Sequence, residues 1–166
     1  MNAHPRPIPP SRPPASHCPT PTTVVTESGR RLDLAAPDPA AIQLADIAGA
    51  LARLPVWGGM AGAGPWSYAA QALHAEALLG SIISRSIDRP TRAAILLFDA
   101  RLAYLGAPAP PFLSALDAAA VRMFGKSQHG VLGAAMHELG TGLDRAIRGA
   151  LGLPVLTADQ REAVEI

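Results

Sequence analysis

Residues 93–107 read AAILLFDARLAYLGA, and this stretch decides the fold. Asp88, Arg89 and Pro90 precede it, where proline pre-sets a first helical turn, and Gly106 and Pro108 supply the stop. The spacing predicts one continuous helix from Pro90 to Leu105. Leu96, Leu97, Ala103, Tyr104 and Leu105 are its packing residues, so the carboxylate of Asp99 stands in apolar company. Such a group is protonated, hydrogen-bonded or ion-paired, and Arg101 and Arg92 are the cations at hand. The plain role for Asp99 is therefore structural.

Outward from this helix the pattern stays helical. A β-prone run at residues 23–26 and the segment from Ser28 to Leu34 predict a small hairpin with Gly29 in the turn. Asp38-Pro39 offers an N-cap with proline at the first helical position, and Leu44, Ile47, Leu51 and Leu54 recur at three- to four-residue spacing. One helix is expected there, ended by Pro55. The glycine-rich loop at residues 56–65 has neither the Lys-Ser/Thr ending of a phosphate-binding P-loop nor a strand leading into it. A long helix is expected at residues 67–84, with Leu73, Ala77, Ile82 and Ile83 among its apolar positions. After a turn at residues 109–111, residues 112–124 carry Leu113, Leu116, Ala120 and Met123 on one helical face, and Gly125-Lys126-Ser127 breaks that helix. Residues 131–151 are helical again. Gly133, Gly140, Gly142 and Gly149 each cost up to about 1 kcal/mol relative to alanine, which predicts a kink or gap. Thr157-Ala158-Asp159-Gln160 has capping-box spacing, and the helix it opens is short because Ile166 is the last residue. The fold class expected is all-α: a compact bundle of five or six helices with a short N-terminal β-like element.

Residues 1–22 hold eight prolines and are expected to be a disordered tail ahead of one helical domain at residues 23–166. A formal charge of +1 gives no field to steer nucleic acid, and no Lys/Arg cluster interleaved with aromatics is present. No run approaches the roughly 18 apolar residues of a membrane span. Cys18 is the sole cysteine, which rules out a disulfide framework within the chain and suits a reducing cytoplasm. His129, His137 and Glu138 lack the second histidine of a zincin helix, no GxSxG elbow occurs, and the serines show no triad spacing.

Beginning at Ser28, SGRRLDLAAPDPAAIQLADIAGALARL resembles the opening of small bacterial and phage HD-domain phosphohydrolases, which commonly reads SGRRFDLLNPDPDDIDIEDIAHALSRI. In register behind it, Trp57, Gly59, Pro65, Trp66, Ser67 and Ala69 fall on the next block of the family. Residues 93–107 are similar to its signature helix, roughly LLHDAAEAYLGD, and LDRAIRGALGLP from Leu143 to Pro154 matches a late segment. The resemblance covers about 130 residues, with 114–137 poorly matched.

The resemblance implies an HD-domain-like bundle and a metal site built from a His, an adjacent His-Asp pair and a distant Asp. In this chain the first His position is Gln71, the pair is Phe98-Asp99, and the assisting Glu is Leu102. A phenyl ring donates no lone pair to a metal. Relatives continue past the segment AVEI with Ala-Asp, so the domain is C-terminally short by comparison. The candidate metal residues are Asp99, Gln71 and His74, the last one helical turn beyond Gln71, and Trp57 is the candidate substrate contact. No catalytic residue is assigned. The function implied is a catalytically degenerate phosphohydrolase-like protein that keeps the scaffold as a binding or partner module, with no cofactor. The alternative is an active hydrolase of nucleoside phosphates, which would require Mn²⁺, Co²⁺ or Mg²⁺. A nucleotide ligand is expected; nucleic acid and membrane are not; a homodimer or another protein partner stays open.

Overall fold

The computed structural model describes residues 22–60, 64, 66–83 and 88–153. Most of the expected tail, part of the glycine loop and the helix expected from Thr157 lie outside the described residues. The described residues form an all-α fold apart from one hairpin, and none of their helices is long and apolar enough to cross a membrane. Strands β1 (Thr23–Val25) and β2 (Arg31–Asp33) pair antiparallel with Val24 opposite Leu32, and Gly29 takes φ +80° in the turn. Thr22, expected at the end of the tail, belongs to this hairpin: its carbonyl accepts from the Leu34 amide and its hydroxyl donates to Asp33.

The hairpin is tied to α1 (Leu44–Arg53) by a buried carboxylate. Asp46 accepts from the Ser28 amide at 2.9 Å and from the Ser28 hydroxyl at 2.7 Å. Burial works against its ionisation, but the hydrogen bonds from Ser28 and Thr26 and the charge of Arg30 outweigh it and hold the carboxyl below its ordinary value. The helix expected from Pro39 is two elements. Asp38 caps a single 3-10 turn, Pro39–Ala41, and the chain then runs extended through Ile42 and Gln43 before α1 begins. Extension lets Ile42 enter the core, which a continuous helix would not allow.

Pro55 and Ser67 bridge the base of the glycine loop, where the Val56 amide donates to the Trp66 carbonyl at 2.9 Å. Ser67 then caps α2 (Tyr68–Ile83) through the Ala70 amide. Asp88 caps α3 (Arg89–Leu96), and Arg92 pairs with Glu76 at 2.7 Å to hold α3 on α2. The helix expected to reach Leu105 breaks here. Residues 97–101 form successive turns, and only Leu102–Leu105 resumes as α4, ended by Gly106. The break drives Ala100 into the core, where it is 1% exposed. The following helix starts slightly earlier than expected, as α5 (Pro110–Phe124), and a 3-10 turn, Lys126–Gln128, leads to α6 (Val131–Leu151).

Helix α6 is continuous, against the kink or gap expected from its four glycines. Two of them face close neighbours: a Cβ on Gly140 would stand 3.1 Å from the Arg101 side chain, and one on Gly149 would meet Pro39 at 3.6 Å. Packing of other segments against these bare positions offsets the low helix propensity of glycine. Leu143, Ala146 and Ile147 of α6 form the core with Leu32, Ile42, Ile47, Leu51 and Ala100.

The polar groups at this core lead to two expectations. Ser28→Ala removes one bond to Asp46 and costs about 1–2 kcal/mol in denaturant unfolding at neutral pH. Because the folded Asp46 pKa lies below its unfolded value, that contribution is present above about pH 4 and disappears as pH falls through the folded pKa. The Tyr104 hydroxyl is buried with no hydrogen-bond partner among the described residues, and burial, with Asp46 nearby, pushes its pKa up to about 12. Tyr104→Phe therefore leaves stability unchanged or raises it by up to about 1 kcal/mol; a loss above that would show an unrecognised partner.

Candidate functional site

The break between α3 and α4 makes the site. By ending one helix at Leu96 and restarting at Leu102, the chain turns Phe98 and Arg101 toward α6 and opens a cleft of about 880 Å³. Leu102, Leu105, Leu113 and Met136 supply apolar wall, and Tyr68 at the start of α2 closes one side. The polar lining comes from α6. His137, Thr141, Asp144, Arg145 and Arg148 recur at helical spacing along one face and all line the cleft.

Arg101 organises the centre. Its guanidinium lies 3.2 Å from the Asp144 carboxylate, donates to the Phe98 carbonyl at 3.3 Å and stands 6.0 Å from the centroid of the Phe98 ring. Gly140 leaves the space its side chain crosses. Burial raises the Asp144 pKa, opposed by Arg101 and, more weakly, by Arg148 and His137. Burial also raises Asp99, with the Arg101 charge opposing and the Asp144 charge adding to the rise. Tyr68 is pushed up by burial and by Asp99. Two half-buried carboxylates thus share the field of one close arginine, and Asp144 has the contact. The ion pair predicted between Asp99 and Arg101 or Arg92 is not formed: Arg101 pairs with Asp144 and Arg92 with Glu76.

Of the residues singled out from sequence, His137 lines the cleft, and Asp99 is not among its lining residues but lies close enough for the charges of Arg101 and Asp144 to act on it. Gln71 and His74 are exposed on α2 and do not line the cleft; the His74 ring meets Trp66 edge-on, with centroids 5.8 Å apart. Trp57 sits in the glycine loop with φ +55°, a left-handed conformation that costs a non-glycine residue about 1–2 kcal/mol, and it too is outside the cleft lining. Among the described residues no three His, Cys, Asp or Glu side chains are grouped so that they could hold a metal ion, so Asp99 and His74 are not gathered into such a set. The arrangement can instead hold an anion beside an apolar surface, because the cleft lining brings Arg101, Arg145 and Arg148 together with apolar side chains. Asp144, Arg145 and Arg148 were not among the candidates that the sequence suggested. The signal for them was their spacing with His137 and Thr141, which marks one polar stripe on a helix whose opposite face is core.

No protein-family model matches the chain, and no curated protein matches it.

The electrostatics predict the behaviour of Asp99. A carboxyl whose folded pKa is raised loses stability as pH climbs from the unfolded pKa through the folded one. Asp99→Asn, neutral at every pH, melts above the parent protein at pH 7, and the difference shrinks as pH falls into the carboxylate range. Thermal melts across that window check it; a lower melting temperature at pH 7 would mean that the charged form of Asp99 is needed.

Proposed function

We propose that the protein is a phosphohydrolase-like binding module on an HD-domain-like scaffold, which takes a nucleoside phosphate in the α6 cleft without hydrolysing it. The observation that carries this reading is the division of the cleft. Arg145 and Arg148 lie one turn apart on α6, beside Arg101 and His137, while Leu102, Leu105 and Met136 give an apolar wall. Arginines favour phosphate oxygens through paired N–H donors, and an apolar wall suits a nucleobase. The cleft volume is within the roughly 300–1,000 Å³ usual for small-molecule sites. The loss of chemistry in the sequence supports the absence of turnover: Phe98 and Gln71 stand where HD-domain relatives place metal-binding histidines. A cytoplasmic setting accords with the nucleotide ligand and the sole cysteine.

A second reading, a metal-dependent phosphohydrolase, draws on Asp99 and on Asp144, whose charge adds to the rise of the Asp99 pKa. One experiment separates the two. Nucleoside mono- and triphosphates are titrated calorimetrically with and without Mn²⁺, Co²⁺ or Mg²⁺, and phosphate release is followed in parallel. The binding reading expects metal-independent binding, about tenfold weaker in Arg145→Ala, equivalent to about 1.4 kcal/mol, and no phosphate release. Release that needs the metal and disappears in Asp99→Ala would replace it with the second reading, and no binding of any nucleotide would overturn both.

A further inference from the structure

Arg101 uses only part of its donor capacity within the protein. Among the described residues its hydrogen bonds both leave from Nη1, to the Asp144 carboxylate at 3.2 Å and to the Phe98 carbonyl at 3.3 Å. Nε and Nη2 have no partner there. The Tyr104 hydroxyl is the only buried side-chain nitrogen or oxygen left unpaired among the described residues, so Nε and Nη2 are open to solvent. Their N–H groups run parallel along one edge of the planar guanidinium, the edge that takes two oxygens of a phosphoryl group at once. Other ion-paired arginines differ: Arg92 turns Nε to Glu76 and Arg53 turns Nη2 to Glu27, so a carboxylate of the protein already sits on that edge. The Arg101 arm is also held in place. Asp144 and Phe98 fix Nη1, and bare Gly140 gives the arm its path, since a Cβ there would stand 3.1 Å from Cδ and 3.4 Å from Nε.

We infer that the Nε–Nη2 edge of Arg101 is the phosphoryl anchor of the cleft, taking two oxygens of one phosphate monoester side-on, with Asp144 as the positioning residue that keeps the edge aimed. The anchor presupposes the nucleoside-phosphate reading of the cleft, and it makes Arg101 the residue that tells a phosphorylated ligand from its unphosphorylated parent. Arg145 lines the same cleft, but it is exposed and takes part in none of the hydrogen bonds or ion pairs among the described residues. To grip an anion it must give up side-chain freedom that Arg101 has already lost. Arg101 therefore supplies fixed geometry, and the α6 arginines add charge. The same arrangement keeps Asp144 from repelling the ligand. Its carboxylate contacts Nη1, which lies across Cζ from the free edge, so the two anions stand on opposite sides of one cation.

The test uses the whole chain. The common ribonucleosides, their 5′-monophosphates and inorganic phosphate are titrated calorimetrically into the parent protein, Arg101→Lys and Gly140→Ala. In the parent, a monophosphate is expected to bind at least about tenfold more tightly than its own nucleoside. Arg101→Lys keeps the charge but not the planar fork, and it is expected to remove most of that ratio while the affinity for the nucleoside stays the same. Gly140→Ala favours the helix and crowds the Arg101 arm, and it is expected to lower the ratio in the same direction; its result decides if Arg101→Lys does not fold by circular dichroism. A ratio left intact in the folded variants would overturn the anchor while nucleotide binding itself still stands. Inorganic phosphate that binds the parent but not Arg101→Lys, with no nucleotide binding more tightly than phosphate, would support the anchor and overturn the nucleoside reading. No binding of any of these probes would overturn both.

Discussion

Everything that positions the cleft rests on the packing around Leu143. That side chain is fully buried on α6, within a cluster drawn from β2, the extended residue Ile42, α1 and the turn at Ala100. Burying a leucine or isoleucine contributes about 1.5–3 kcal/mol, so this one cluster holds the hairpin, the first helix and the α3–α4 junction to the same rod. Small residues make the convergence feasible. Gly140 lets Arg101 approach α6 more closely than a β-carbon would comfortably allow, Gly149 lies bare beneath Pro39, and the helix runs unbroken through both. Their low propensity is a cost offset by packing that an isolated helix does not have.

The same packing explains why the signature stretch is broken. A straight helix from Pro90 to Leu105 would fix Ala100 and Arg101 by the geometry of the preceding turns. Core packing takes Ala100 inward, and the space at Gly140 takes Arg101 across α6 toward Asp144. Three residues that are neighbours in sequence therefore have three roles: Asp99 is a half-buried carboxyl in the field of Arg101 and Asp144, Ala100 is core, and Arg101 bridges to another helix. The successive i to i−3 backbone bonds through this segment are the local form that allows it.

Charge in the cleft follows from competition among a few groups. Arg101 is close enough to Asp144 for contact and affects Asp99 only through its field, so neither carboxyl falls below its ordinary pKa. Burial is the largest influence on both. Arg145 and Arg148 farther along α6 line the same cleft as Leu102 and Leu105, which keep part of it apolar. That pairing of surfaces underlies the binding reading, whereas the sequence resemblance underlies the choice of scaffold.

Local signals in the sequence determined the elements. Gly29 places the hairpin turn, Asp38 and Asp88 cap where they stand, Gly106 and Gly125 end helices, and apolar periodicity makes the protein all-α; each acts over a few residues, so each is legible without a fold. Asp99 was legible as an odd carboxylate among packing residues, yet its surroundings were not, because Arg101 turns to Asp144, forty-three positions away. Gln71 and Trp57 follow from the resemblance and His74 from its helical spacing to Gln71; all three side chains are exposed and none lines the cleft. Leu113, Leu116, Ala120 and Met123 share a helical face in the sequence, and only the tertiary structure decides that Leu113 and Ala120 are partly covered while Leu116 and Met123 are exposed. Tertiary structure set the breaks at Ile42 and residues 97–101, the continuity of α6 and the cleft itself, since each depends on packing between segments far apart in the chain.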